Sequence, residues 1–176
     1  MGSGPIIVTA LFEPADLAWF DGLRRAHYPP ERNLVPVHLT LFQHIAPGLE
    51  AELDRRLKAE CRAALPPRAC VAGLMKLAGG VAFRLESPEL EEIRAHIADA
   101  FRAMLIPQDA ASWVPHVTIQ NKAEPSTAAR LHARLAGQFS PRPILIPGLA
   151  AWRYLGGPWE PIARYRFSRS GRSPRS

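Results

Sequence analysis

One short pattern occurs in each half of this chain: histidine, an apolar residue, threonine and a second apolar residue. The first copy is His38-Leu39-Thr40-Leu41 and the second is His116-Val117-Thr118-Ile119. Both copies lie in β-favouring runs close to a proline, and residues i and i+2 of a strand point to the same face. Each copy therefore places an imidazole and a hydroxyl side by side on one surface, with apolar residues buried behind them.

The elements predicted around the two copies repeat in the same order. Hydrophobic periodicity predicts strand, helix, motif strand, helix and strand over residues 5–78, and the same order with one further strand over 79–167. The motif strands are predicted at about 35–44 and 114–122. Alternating helices and hairpins favour an α+β fold with mainly antiparallel sheets. We expect two pseudo-symmetric β-α-β-α-β halves, intertwined in a single bilobal domain over 1–167, with the motif strands facing each other across a central cleft.

The net charge of +6 favours an anionic partner. Part of that charge comes from residues 168–176, a stretch of Ser, Gly, Pro and Arg without acids. This composition predicts a mobile basic tail, either a plain soluble terminus or a source of non-specific affinity for RNA phosphates.

Other classes of protein are not supported by the sequence. No apolar run approaches the roughly 18 residues of a membrane span, and no signal segment opens the chain. The two cysteines, Cys61 and Cys70, do not form a metal-type cluster. We expect a cytoplasmic monomer without a cofactor, a metal or a membrane partner.

Two imidazoles and two hydroxyls around one small anion suit a phosphodiester. Imidazole titrates near neutrality, so one ring can accept a proton while the other donates one. The hydroxyls can donate to the non-bridging phosphate oxygens. Two plainer interpretations remain open for the histidines: ordinary polar residues on half-buried strands, or metal ligands.

The paired motifs, one on a predicted strand of each half, resemble the 2H phosphoesterase superfamily. The sequences of residues 33–42 and 115–122 are similar to those of its bacterial branch of 2′-5′ RNA ligases and RNA 2′,3′-cyclic phosphodiesterases. The resemblance covers about residues 5–167. It implies a bilobal fold with a central groove, metal-independent hydrolysis of 2′,3′-cyclic phosphates to 2′-phosphates, and a reversible, ATP-independent 2′-5′ joining of RNA ends.

The resemblance also assigns roles to the motif residues. It implies that His38 is the proton donor to the departing 3′ oxygen and that His116 is the proton acceptor for the attacking water. Thr40 and Thr118 would bind the phosphate oxygens. The expected partners are RNA ends or nucleotides with a 2′,3′-cyclic phosphate.

Four further residues are candidates for substrate binding. Phe42 continues the face of Thr40 and is a candidate for stacking on a nucleobase, with a place in the core as the alternative. Alternation along the second motif strand places Gln120 and Lys122 on the groove face, where related ligases commonly carry an arginine. Tyr28 precedes the loop into the first motif and is a candidate for lining the groove.

Alternatives also remain for the aromatic residues near the end of the chain and for the function. Trp152, Tyr154, Trp159 and Tyr165 lie beside arginines and resemble a base-stacking surface, but we favour simple packing of two closing strands. The functional alternatives are a cyclic phosphodiesterase for a small nucleotide metabolite, and a module that binds RNA ends without turning them over.

Overall fold

The computed structural model describes residues 3–169. Its strands are β1 (Ile6–Ala10), β2 (Leu39–Ile45), β3 (Arg68–Leu77), β4 (Gly80–Glu86), β5 (His116–Gln120), β6 (Arg142–Leu145), β7 (Gly148–Tyr154) and β8 (Trp159–Arg166). Its α-helices are α1 (Pro14–His27), α2 (Glu50–Ala63), α3 (Pro88–Ala100), α4 (Pro107–Ala110) and α5 (Pro125–Gln138). The predicted α+β fold class is confirmed.

All eight strands in the described range form one sheet, in the order β6-β3-β4-β5-β2-β1-β7-β8, and every neighbouring pair is antiparallel. The motif strands β2 and β5 are the central neighbours, paired at Leu39 and Val117. Strand β3, from the first half of the sequence, lies among the strands of the second half. The halves are therefore intertwined, and the sheet brings the two motifs together.

The helices begin at residues that favour a first helical turn, and α1 ends before prolines, which disfavour its continuation. Helix α1 has proline in its first turn, Asp16 near its N-terminus and Pro29-Pro30 beyond its end. Ser87 caps α3 by accepting the backbone N–H of Leu90 at 3.2 Å. Helices α1 and α5 pack on the β3-β4-β5 part of the sheet, and α2 packs on β7 and β8.

Alternation along the motif strands places their apolar residues in the core. Leu39 and Val117 are fully buried, whereas the histidines and threonines of the motifs remain half-buried. Burial of each Leu or Val side chain stabilises the fold by about 1.5–3 kcal/mol. The same packing therefore stabilises the sheet and fixes which face carries the polar motif residues.

A one-residue bulge follows the threonine of each motif. In β2, Thr40 and Phe42 oppose consecutive residues of β1, and in β5, Thr118 and Gln120 oppose consecutive residues of β4. An extra residue resets the alternation of side chains. Phe42 and Gln120 therefore turn away from the face of the threonines, and only 0% and 3% of their surfaces are exposed.

Strand β6 was not predicted from the sequence. It is a four-residue edge strand that pairs only with β3 and contains Pro143. Proline has no N–H for a sheet ladder and is tolerated at an edge. A proline within a four-residue segment argues against a strand, so the sequence pattern did not indicate β6.

The start of the predicted basic tail is attached to the fold. The backbone N–H of Ser168 lies 3.0 Å from the carbonyl oxygens of both Cys61 and Ala64. Residues 170–176 lie outside the described range.

Candidate active site

The four motif side chains line one cleft of about 810 Å³ at the centre of the sheet. His38 and Thr40 come from the first motif, and His116 and Thr118 come from the second. Volumes of this size are typical of pockets that hold whole small molecules, about 300–1,000 Å³. The expected cleft is present, but the motif strands do not face each other across it: β2 and β5 are paired neighbours, and both motifs line the same cleft.

The two imidazoles are held by the same local bond. Nδ1 of His38 lies 2.8 Å from the carbonyl oxygen of Pro36, and Nδ1 of His116 lies 2.8 Å from the carbonyl oxygen of Val114. A carbonyl oxygen only accepts, so Nδ1 carries a proton in both the neutral and the charged ring. Nε2 is consequently the nitrogen that can take up or release a proton in each histidine.

The surroundings of His38 keep its ring neutral at physiological pH. Burial lowers the pKa of His38 from 6.5 to about 4, with smaller contributions in the same direction from Arg24 and His116, while the bond to Pro36 opposes the shift. The indole of Trp159 packs against the imidazole, with ring centroids 4.6 Å apart. In the free protein, Nε2 of His38 therefore carries no proton at neutral pH.

The threonine hydroxyls are available to a ligand. Within residues 3–169, no protein group is hydrogen-bonded to the hydroxyl of Thr40 or of Thr118. Their backbone carbonyls, by contrast, are engaged: the indole N–H of Trp113 donates to Thr40 at 3.0 Å, and the guanidinium of Arg24 donates to Thr118 at 2.9 Å. The backbone is fixed while the side chains keep their donors.

Two buried arginines hold the motif strands from opposite halves of the chain. Arg24 on α1 of the first half donates to Thr118 in the second motif strand. Arg94 on α3 of the second half donates through Nε to the carbonyl oxygen of Leu41 at 2.8 Å. Each motif strand is therefore fixed by a helix of the other half.

A buried carboxylate supports the far end of the first motif strand. Asp109, in the short helix α4, accepts the backbone N–H groups of Gln43 and His44, at 2.9 Å for the closest contact of each. Its own carbonyl oxygen accepts from Arg94 at 2.8 Å. The register of β2 against β1 shifts a second time between Phe42 and Ile45, so Gln43 and His44 have no partners in β1, and the carboxylate accepts their N–H groups instead.

The four additional candidates for substrate binding do not line the cleft. Phe42 lies in the core with the guanidinium of Arg94 over its ring at 4.6 Å, which corrects its prediction as a stacking residue. Gln120 is buried by the second bulge, so its predicted place on the groove face is wrong. Lys122 follows β5 with a φ of 58°, exposed and away from the cleft.

Tyr28 is buried rather than exposed to the groove. The Arg24 guanidinium lies 4.1 Å from its ring centroid. This contact places Tyr28 against the arginine that holds the second motif strand.

Trp113 and His44 also line the cleft. Trp113 immediately precedes the second motif, and its position next to a motif strand was the only signal available. Among the described residues, no group of three or more His, Cys, Asp or Glu is placed to hold a metal ion. None of the helices in the same range is long and apolar enough to cross a membrane.

Comparison with known proteins gives one family. The sequence model of the 2′-5′ RNA ligase superfamily matches residues 12–158. No curated protein is significantly similar to the chain in sequence.

Several solved structures share the fold. The protein TT0787 of Thermus thermophilus superposes with a TM-score of 0.66 at 16% identity, covering 93% of this chain and 97% of its own. E. coli LigT complexed with 3′-AMP gives a TM-score of 0.61 at 16% identity, covering 94% and 99%. E. coli LigT complexed with NADP+ gives 0.59 at 15% identity, covering 96% and 100%.

Proposed function

The chain belongs to the 2′-5′ RNA ligase superfamily, and we propose that it is a metal-independent phosphodiesterase that opens 2′,3′-cyclic phosphates to 2′-phosphates. The observation that carries this proposal is the shared cleft, in which two imidazoles expose Nε2 and two hydroxyls have no partner among the described residues. Chemistry on a phosphodiester needs an acid, a base and donors to the non-bridging oxygens, and this set provides each of them.

In the proposed reaction, water attacks phosphorus and the bond to the 3′ oxygen breaks. His116 takes a proton from the water, and His38 gives a proton to the departing 3′ oxygen. Thr40 and Thr118 donate to the non-bridging oxygens as charge develops on them. If the 5′-hydroxyl of a second RNA attacks phosphorus in place of water, and the bond to the 3′ oxygen again breaks, the same groups support 2′-5′ joining without ATP.

The role of His38 as donor makes one demand on the site. The free protein holds this ring neutral at pH 7, because burial lowers its pKa to about 4. A bound phosphate anion next to the ring favours the charged form and raises the pKa again. The reverse assignment, with neutral His38 as the acceptor and His116 as the donor, requires no such shift.

The class of substrate is proposed from the cleft and supported by a relative. The site is larger than a phosphate group needs, and E. coli LigT has been crystallised with 3′-AMP. We infer that nucleotides or RNA ends with a terminal cyclic phosphate are the substrates. Rates on a mononucleotide and on an oligonucleotide with the same end would separate a metabolite enzyme from an RNA enzyme.

The test is hydrolysis of adenosine 2′,3′-cyclic phosphate in the presence of a chelator, with the product assigned by phosphorus NMR. The parent should yield the 2′-phosphate, and His38→Ala and His116→Ala should each lose about 10²–10⁴-fold in rate. His44→Ala is the matched control, since His44 lines the same cleft outside the motifs. An equal loss in the control, or turnover retained in either motif variant, would contradict the mechanism.

A substrate with sulfur at the 3′ bridging position separates the two roles. A thiolate leaves without a proton, so the variant that lacks the donor should recover most of its rate on this substrate, while the variant that lacks the acceptor should not. Recovery of His38→Ala alone supports the donor role for His38. Recovery of His116→Ala alone shows the reverse assignment.

A further inference from the structure

The cleft extends past the motif residues to an aromatic wall on the hairpin of β7 and β8. Tyr154 and Trp159 are direct cross-strand partners in this hairpin, and both line the cleft. Side chains of such a pair extend from the same face of the sheet. Two flat rings therefore stand side by side at one end of the site that holds His38.

The indole of Trp159 is fixed by its neighbours. It packs against His38, with ring centroids 4.6 Å apart, and against Trp152, at 6.1 Å. Trp152 is held in turn, because its indole N–H donates to the hydroxyl of Thr9 at 2.9 Å. A ring that is positioned before a ligand arrives costs little conformational entropy when it binds.

Simple packing of two closing strands does not account for this arrangement. Tyr154 remains 40% exposed, and both rings present surface to a cleft of about 810 Å³. The catalytic cluster beside these rings is polar. An apolar, flat wall beside a phosphate site matches a ligand with a planar ring near its phosphate.

We propose that Trp159 and Tyr154 form a nucleobase subsite, in which the base of the nucleotide with the reacting phosphate stacks on their rings. The inference rests on the proposed function, and it adds that the base itself is recognised. Every nucleobase has a π-face, and stacking on aromatic side chains is the general way in which unpaired bases are bound. The contact of Trp159 with His38 places the wall beside the group that reacts with the phosphate.

The first experiment compares two substrates that differ only in the base. They are adenosine 2′,3′-cyclic phosphate and methyl ribofuranoside 2,3-cyclic phosphate, which lacks it. Trp159→Ala should lower kcat/KM on the nucleotide by about 5- to 150-fold, as expected for one stacking aromatic. A loss on the substrate without a base reports the contact of Trp159 with His38 alone, so the loss on the nucleotide should exceed it by about 5- to 150-fold. Trp159→Phe should restore most of that difference.

The controls address the contact of Trp159 with His38. Tyr154→Ala leaves that contact in place and should show the same dependence on the base, to a smaller degree. Leu155→Ala changes a residue of the same hairpin that is 52% exposed and outside the cleft, and it should behave as the parent on both substrates. Equal losses on both substrates in Trp159→Ala, or no loss on the nucleotide, would overturn the subsite.

A binding measurement separates failure of the subsite from failure of the proposed function. Calorimetric affinities for adenosine 2′-phosphate and for the matching sugar phosphate without a base require no turnover. If the parent hydrolyses neither substrate but binds the nucleotide more tightly through Trp159, the subsite stands and the proposed function fails. If the parent hydrolyses both equally well and Trp159→Ala changes neither rate nor affinity, the function stands and the subsite is refuted.

Discussion

Acidification from pH 8 to pH 5 should destabilise the folded protein, and His38 should account for a measurable part of the loss. The folded protein lowers the pKa of this ring to about 4, whereas the ordinary value of 6.5 applies to the unfolded chain. Between these two values the unfolded chain binds more protons than the folded protein. The contribution of His38 to stability is therefore fully present above pH 6.5 and is lost progressively as the pH falls toward 4.

The size of the effect follows from the two pKa values. The difference between 6.5 and about 4 corresponds to roughly 3 kcal/mol when the whole range is crossed. At pH 5 most of that range has been crossed, and the expected loss relative to pH 8 is about 2 kcal/mol. Partial exposure of the ring to the cleft makes this figure an upper value.

Urea denaturation of the parent and of His38→Gln at pH 8 and pH 5 measures this contribution. On acidification, the free energy of unfolding of the variant should fall by up to about 2 kcal/mol less than that of the parent. Carboxylates and other histidines, including His27, whose pKa is also lowered by burial, affect both proteins and cancel in this comparison. His44→Gln, in the strand that begins directly after His38, is the control for removal of an imidazole. Equal losses in the parent and in His38→Gln would refute the buried, neutral state of His38.

Three further substitutions test other parts of the site. Phe42→Ala should lower the free energy of unfolding by about 3–5 kcal/mol in urea denaturation, because the ring is fully buried in the core. Asp109→Ala should cost about 1–3 kcal/mol in the same assay and lower kcat, because the N–H groups of Gln43 and His44 lose their acceptor. Lys122→Ala should leave kcat/KM on the cyclic nucleotide within about twofold of the parent, because its side chain lies outside the cleft.

The sequence was sufficient to predict the motif strands and the face that carries their polar side chains, because both depend on local alternation. Leu39 and Val117 must be buried in a strand that also exposes His38 and His116, and only one face satisfies both requirements. The same rule failed two residues later in each strand. A bulge depends on the neighbouring strand and on tertiary hydrogen bonds, so alternation alone could not place Phe42 on the correct side.

The support of the first motif strand was also beyond sequence reasoning. Asp109 belongs to a four-residue helix, too short for a periodic pattern, and its acceptor role depends on N–H groups distant in sequence. The arginines of α1 and α3 likewise resembled ordinary polar positions of amphipathic helices. A buried guanidinium is informative only when its partners are known, and those partners lie in the other half of the chain.

Each of these arginines binds the motif strand of the other half, and this arrangement matters for catalysis by two histidines. Proton transfer by an acid and a base at one phosphate requires a fixed distance between two imidazoles that come from different strands. Arg24 bonds the second motif strand from a helix of the first half, and Arg94 bonds the first motif strand from a helix of the second half. A buried charge that loses its partners destabilises a protein by several kcal/mol. Moving one half away from the other would leave the two guanidiniums without these acceptors, so the contacts oppose such a movement. The repeated pattern thus supplies two similar motifs. Because each arginine binds the motif strand of the other half, the distance between the two histidines is fixed only when both halves are folded together.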